Sequence, residues 1–383
     1  MFKAFKYRLE PNANQTRELG IALETHRQLY NVCLEQRKTS YETAKKSIRY
    51  TEQSAWFKTE RYVNPWFAKL NFSSAQTTMR RLDKSFCAFF RRVKSGESPG
   101  YPRFKGRDHF NSFTYPSITN GARVIGNKLR LQHVGMVRIN LHRPIEGQPK
   151  TTTIKREAGK WYMVVCCELL DVPIAESVLP AIGIDLGIEK FLTASDGYTE
   201  PSLQPLKPLL PKLRIEQRSL CRKKKGSASR RKQRKVVARL HAKVRNTRCD
   251  QHHKIANRLT SRYGAIAVES LNIRGMLGNR RLARAVSDAG WSSFLTILKH
   301  HAESAGVRVV EVDARGTSQT CPECGAVAQK ALSQRKHICG CGYSTHRDHA
   351  AARVILSRGQ AGMQPGGRNV GAVMPHGLRS RLF

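Results

Sequence analysis

Apolar and polar positions alternate with period two through Phe5, Tyr7 and Leu9, which predicts a strand over the first ten residues. Pro11 and Asn12 end it. Leu19, Ala22, Leu23, His26, Leu29, Tyr30 and Cys33 then recur at the i, i+3, i+4, i+7 spacing of a packed amphipathic helix. Ala75, Met79, Leu82, Phe86, Phe89, Phe90 and Val93 do the same, with Arg80, Arg81, Arg91 and Arg92 opposite. Residues 11–95 thus read as a helical bundle with a basic flank. Between 110 and 170 the pattern returns to short alternating runs. Gly126-Asn127 and Ala158-Gly159-Lys160 lie between them as hairpin turns. These strands, with the N-terminal one, predict a small antiparallel barrel carrying the bundle as an insertion.

A linker is expected at 172–180. Beyond it, Ile182, Ile184, Leu186 and Ile188 alternate with Gly183, Asp185 and Gly187, and Phe191 to Ala194 continues as a second strand. Residues 212–258 carry a dense basic pattern that Gly226-Ser227 divides into two helices. Ala265 to Val268 reads as a buried strand ending at Glu269, residues 290–305 as a helix, and Val307 to Val312 as a strand. Asp348 opens a last helix through Leu356. The pattern over 181–356 is strand–helix alternation, so the expected fold class is α+β and multidomain. From Gly359 onward the chain is rich in Gly and Pro without periodicity, and 359–383 reads as a mobile C-terminal tail.

Composition narrows the partner. The 383 residues include 68 Lys+Arg against 28 Asp+Glu, a net charge of +40. Charge at that level repels itself, and a polyanion bound with counterion release relieves it. Block 212–258 holds 18 Lys or Arg and two acids, Glu216 and Asp250. Lys223, Lys224, Arg230, Arg231 and Arg234 are its candidate backbone-tracking residues. The loop from Gly96 to Gly106 interleaves Tyr101 and Phe104 with Arg103 and Lys105, which suits phosphate and base contact. No apolar run approaches the ~20 residues of a membrane span, and MFKAFKYRLE has no secretory h-region. The expected location is cytoplasmic, without a membrane partner.

Three carboxylates stand out. Asp185 lies on a strand between small glycines that permit close backbone approach, Glu269 ends another strand, and Asp348 sits where a helix dipole favours negative charge. Acids at adjacent strand ends can converge on one rim, and three hard oxygen donors there would bind Mg²⁺. Two such ions suit phosphodiester hydrolysis. Asp288 is an alternative acid, read here as a helix N-cap before Trp291.

Ten cysteines divide into six scattered ones and a cluster, Cys321, Cys324, Cys339 and Cys341. Cys-x₂-Cys, fourteen residues, then Cys-x-Cys reads as two knuckles of a closed four-thiolate zinc site, with His337 and His346 as competing ligands. Four cysteines leave no open position, so the site is structural.

GIDLGI around Asp185, VESLNIRGM around Glu269, TSQTCPECG around Cys321 and THRDHAAARVI around Asp348, together with LEPNANQ, AFFRR, GYPRFKG and RLARAVSDAGW, resemble the TnpB proteins of bacterial insertion sequences. The likeness spans about residues 1–356. It implies an RNA-guided DNA endonuclease, ancestral to type V CRISPR effectors. It implies a wedge β-barrel at 1–10 and 96–175, an inserted helical recognition bundle at 11–95, a RuvC nuclease of RNase H-like α/β fold at 181–315 and 343–358, and a zinc-ribbon insertion at 316–342. Asp185, Glu269 and Asp348 match the three RuvC acids. The implied guide is an ωRNA, and the implied target is duplex DNA beside a short transposon-adjacent motif, cut on both strands by one metal-dependent site. Gln76 falls where the recognition bundle is expected to read that motif, and Arg80 on the same helix is a further candidate nucleic-acid contact. The implied particle is a monomer in a ribonucleoprotein, nucleoid-associated when on DNA.

Two other functions compete. A nuclease-inactive, RNA-guided DNA-binding repressor predicts a broken acidic triad, whereas all three acids are present. A DNA transposase or accessory protein would need no guide RNA.

Overall fold

The computed structural model describes residues 1–171, 178–331 and 334–363. The chain divides into two compact units, Met1–Leu170 and the part from Asp171 onward. Most of the expected linker, and the tail beyond 363, lie outside the described residues.

The first unit opens with strand β1 (Phe2–Glu10), followed by helices α1 (Ala13–Ala44), α2 (Tyr50–Val63), α3 (Pro65–Ala68) and α4 (Phe72–Lys94). Strands β2 (Ser112–Tyr115), β3 (Ala122–Ile125), β4 (Lys128–Leu131), β5 (Gly135–Asn140), β6 (Gln148–Glu157) and β7 (Lys160–Glu168) complete it. Asn12 starts α1 with a capping box, accepting from the Gln15 backbone N–H while the Gln15 side chain accepts from Asn12 N–H. Both expected hairpins form. Ile125 pairs with Lys128 around Gly126-Asn127, and Glu157 with Lys160 around Ala158-Gly159.

The seven strands run in the order β2-β6-β7-β1-β5-β4-β3, all neighbours antiparallel. The sheet is a curled half-barrel, the coarser form of the expected barrel, with β2 and β3 at the two ends of its hydrogen-bonded order. A helix takes the place of a closing strand at β2, where Arg81 of α4 donates to the Ser112 carbonyl at 3.1 Å and hydroxyl at 3.0 Å. The bundle also shares one core with the sheet. Phe5, Tyr7 and Leu9 of β1 are buried in the same cluster as Leu23 and Leu29 of α1, Phe57 of α2 and Met79 of α4. His26 is a core histidine, as its apolar face suggested. It is stacked on Phe113 at 4.9 Å, with its ring nitrogens on Thr78 at 2.9 Å and Ser74 at 3.2 Å.

The second unit begins with β8 (Ala181–Asp185), β9 (Lys190–Ala194) and β10 (Thr199–Pro201), then α5 (Leu210–Arg222) and α6 (Ala228–Arg262). Next come β11 (Ala265–Ser270), α7 (Ile273–Gly278), α8 (Ala283–Ala289), α9 (Trp291–Ala305) and β12 (Arg308–Asp313). A small hairpin, β13 (Lys336–Ile338) with β14 (Ser344–His346), precedes α10 (Arg347–Met363). The main sheet has the order β10-β9-β8-β11-β12; β8, β11 and β12 are parallel, and β9 and β10 antiparallel. Strand alternation sorts its two faces. Ile182, Ile184, Ile266 and Val268 join Ile255 and Leu259 of α6 and Phe294 and Leu298 of α9 in one core. Ala267, Val310 and Val312 pack on Ile355 of α10.

Two expected boundaries move. Residues 359–363 continue α10 instead of belonging to the tail, and 343–346 lie in the turn and second strand of the cysteine-bearing hairpin.

Candidate active site and metal centre

The same alternation places Gly183 and Asp185 of β8, and Ala267 and Glu269 of β11, on the face covered by α10. The parallel register pairs Val268 with Ile184, so the next residues, Glu269 and Asp185, end their strands side by side. Gly183 lets α10 close on that face. A Cβ there would lie 2.2 Å from the Ala352 carbonyl oxygen and 2.5 Å from the Leu356 nitrogen, both backbone atoms. The N-terminal turn of α10, which carries Asp348, is tied to the same strands by His349, whose Nε2 lies 3.2 Å from the Ser195 carbonyl oxygen. Ser195 is itself bound to Gly183, its N–H donating to the Gly183 carbonyl at 2.9 Å.

All three acids are half-buried. Burial, then the charges of Glu269 and Asp348, hold the Asp185 carboxyl well above its usual range, with Arg347 opposing. Burial also raises Glu269, against a hydrogen bond from Thr317 and the charge of Arg358. The buried Thr317 hydroxyl donates to Glu269 Oε1. Arg358 is anchored on the Asp313 and Arg315 carbonyls at 2.9 and 2.8 Å. Asp348 has Arg347 at 3.7 Å and His346 at 3.8 Å. The charges of Glu269 and Asp348 thus act on Asp185 from neighbouring positions. Among the described residues, the group of candidate ligands whose atoms all lie within 4.8 Å of one another is the cysteine cluster.

In that cluster Cys321 and Cys341 sulfurs are 3.8 Å apart, and Cys324 and Cys339 3.5 Å. A tetrahedral zinc with bonds of ~2.3 Å needs S···S edges of about 3.8 Å, so the four fit the ion. Tight turns build the knuckles: Gly325 N–H donates to Cys321 O at 3.0 Å, and Gly342 N–H to Cys339 O at 3.0 Å, both glycines with φ above +70°. Burial pushes the Cys321 thiol up, but the Cys324 and Glu323 N–H groups and His337 outweigh it, leaving a value of about 6. His337 is buried beneath Tyr343 with Lys330 on its Nδ1, and His346 lies by Asp348, so neither expected rival joins the four.

Asp288 is not the N-cap expected. It lies inside α8, buried, and accepts from Leu206 N–H at 3.1 Å and from Arg248 at 3.2 Å; Gly290 precedes α9 instead. Its carboxylate ties the β10–α5 connection to α6. Thr317 and Arg358 escaped the sequence reading. Thr317 lay within the quoted TSQTCPECG, but nothing in its spacing announces a partner 48 residues away.

The basic block forms the two expected helices, α5 and α6, with Ser227 as N-cap to Arg230 N–H. Lys224, Arg231 and Arg234 are exposed and Lys223 half-buried. Arg230 differs from the expectation, because its Nη1 donates to the Leu220 and Lys223 carbonyls at 2.7 and 2.9 Å, capping the end of α5. In the first unit Gln76 is half-buried and donates to Ser54 at 3.1 Å, Arg80 is exposed over the Tyr50 ring at 5.0 Å, and Arg103 is exposed. Tyr101 packs edge-on against Phe86 and Phe89 at 5.6 and 5.4 Å.

Comparison with known proteins was then decisive. A protein of Streptomyces pristinaespiralis named as an RNA-guided DNA endonuclease is 33% identical over 373 residues, covering 94% of this chain and 90% of its own length. The chain belongs to the TnpB family of RNA-guided endonucleases. InsQ of Escherichia coli strain K12, named likewise, is 28% identical over 381 residues, covering 94% of this chain and 92% of that protein. A family described as a probable transposase matches residues 165–280, a Cas12f1-like TNB domain matches 291–355, and a helix-turn-helix domain matches 1–46. That last segment is a strand and one continuous 32-residue helix in this chain. The structure titled mini-RNA-guided endonuclease CRISPR-Cas phi3 is similar at 9% identity and a TM-score of 0.47, over 94% of this chain and 92% of that one. Among the described residues no helix is long and apolar enough to cross a membrane.

Proposed function

We propose that this TnpB protein is a guide-RNA-dependent DNA endonuclease whose chemistry is carried by Asp185, Glu269 and Asp348. The observation that carries the reading is their placement: two acids at neighbouring parallel strand ends, and a third at the start of the helix that Gly183 allows onto the same strand. The order of three antiparallel strands followed by two parallel ones, with helices on both faces, supports an RNase H-like RuvC assignment for the unit from Asp171 onward.

These carboxylates would hold Mg²⁺, two ions in the reading adopted here. Bound there, the metal supplies Lewis-acid activation of water and stabilisation of the departing 3′ oxygen. The chain's own residues set the site up. Thr317 orients the Glu269 carboxylate, and the positive charge of Arg358 offsets its negative charge. Arg347 does the same for Asp185. The four cysteines would hold a structural zinc in the hairpin that runs directly into α10, and so steady the turn bearing Asp348.

Sequence choice would be delegated to guide pairing, with an ωRNA as guide and duplex DNA beside a transposon-adjacent motif as target. The exposed cations of α5 and α6 would track backbone phosphates. Asp185→Ala tests the assignment. The variant ribonucleoprotein should retain RNA and DNA binding and lose cleavage of both strands. Undiminished cleavage would move the chemistry elsewhere, and a wild-type protein that purifies without RNA would overturn the guide.

A further inference from the structure

The first unit contains an open cavity of about 590 Å³ that none of the roles above uses. That volume lies within the ~300–1,000 Å³ of small-ligand pockets. Its walls combine two kinds of surface. Trp66 supplies an aromatic face with the Lys69 ammonium 5.5 Å from its ring centre, the buried Phe110 closes the wall behind it, and Arg17 (3.4 Å from Glu18), Arg107 and Arg156 supply positive charge. Trp66 is 55% exposed although it is a large aromatic side chain, and it takes part in none of the ring pairs of the aromatic cluster formed by Trp56, Phe57, Phe67 and Phe72. Glu24 is the one acid on the wall. Arg27, at 2.6 Å, balances it, and Arg107 lies 3.5 Å from it, so three wall arginines against one already paired acid leave the cavity with net positive charge.

Gly20 adds a separate observation. It lies inside α1, on the cavity wall, where glycine weakens a helix relative to alanine. A Cβ at this position would meet nothing within 4 Å. Packing therefore gives no reason for the glycine, whereas a ligand entering the cavity does. Gln28, two turns further along the same helix, presents an amide able both to donate and to accept.

We infer that this cavity is a binding site for a single unstacked nucleotide, with its base on Trp66, its phosphate among Arg17, Arg107 and Arg156, and its base edge within reach of Gln28. Aromatic platforms flanked by arginines hold unpaired bases in this way, and the geometry suits a base drawn out of a helix. The inference rests on the reading of the protein as a nucleic-acid-binding ribonucleoprotein, and adds to it a defined subsite. The nucleotide has two possible sources, the guide RNA and the opened target strand, which share this chemistry.

The test uses the full-length protein purified with its RNA. Ultraviolet crosslinking followed by peptide mapping is run on that complex alone and again after addition of target duplex. A crosslink at Trp66 to one nucleotide position is expected; its presence in the first arm assigns guide RNA, and only in the second, DNA. Trp66→Ala should weaken binding of that strand about tenfold, Trp66→Phe should restore most of it, and Gly20→Leu should fill the cavity and weaken binding similarly while leaving the melting temperature unchanged or higher. No crosslink at Trp66 in either arm, with Trp66→Ala and Gly20→Leu within twofold of wild type, overturns the site but leaves the nuclease reading intact. A wild-type protein that carries no RNA and cuts no DNA overturns the nuclease reading itself.

Discussion

Gly183 shows how much of the candidate site depends on an absent atom. Asp185 can share a rim with Asp348 only because α10 reaches the backbone of β8, and a methyl group at position 183 would collide with two backbone atoms of that helix. Backbone cannot step aside as a flexible side chain can. Gly183→Ala should therefore destabilise the second unit by about 1–3 kcal/mol and lower cleavage further than the stability loss explains, because it displaces Asp348. Denaturant titration beside a cleavage time course separates the two effects. His26 supplies a pH test at the same scale. Burial, with the charge of Arg81, lowers its folded-state pKa to about 3 from an ordinary 6.5. Above 6.5 the histidine is neutral in both states and costs nothing. As pH falls below that, the unfolded chain takes up a proton that the folded one refuses, so stability drains until the folded value is passed. Unfolding of the first unit should be about 2 kcal/mol easier at pH 5 than at pH 7, and His26→Gln should flatten that slope.

At the scale of elements, the cysteine hairpin and α10 act together. β14 ends at His346 and α10 begins at Arg347, so no connecting residue separates the hairpin from the helix that presents Asp348. Four thiols brought together repel one another once ionised, and zinc turns that repulsion into a clamp. Chelation of zinc should reduce cleavage at unchanged Mg²⁺ and loosen the helix start, with faster amide exchange around 345–350. RNA binding by α5 and α6 should persist. If cleavage survives complete zinc removal, the hairpin does not steady the acid. The element scale also separates cations that look alike in sequence. Arg230 is engaged in ending α5, and Arg231 one residue later faces solvent.

For the whole molecule, a charge of +40 makes polyanion binding the dominant long-range property. The affinity for RNA should fall linearly with the logarithm of salt concentration. Arg231→Ala should reduce that slope by about one, as expected on losing one phosphate contact, whereas Arg230→Ala should leave the slope alone and cost about 1 kcal/mol of stability. Filter binding across a salt series, with thermal melts alongside, distinguishes them.

The division between chain and fold runs along the range of the interactions. Period and turn chemistry are local, so the strands of the first unit, the break at Gly226-Ser227 and the four cysteines were legible in the residues themselves. Helices α3, α7 and α8, of four to seven residues, were not, because such short elements carry too little periodicity to stand out. The order of the sheet, the core shared by bundle and strands, the use of Asp288 as a strut, and the hold of Thr317 on Glu269 depend on residues tens of positions apart. Such pairings are set by which surfaces fit when the chain packs, and no spacing along the sequence records them.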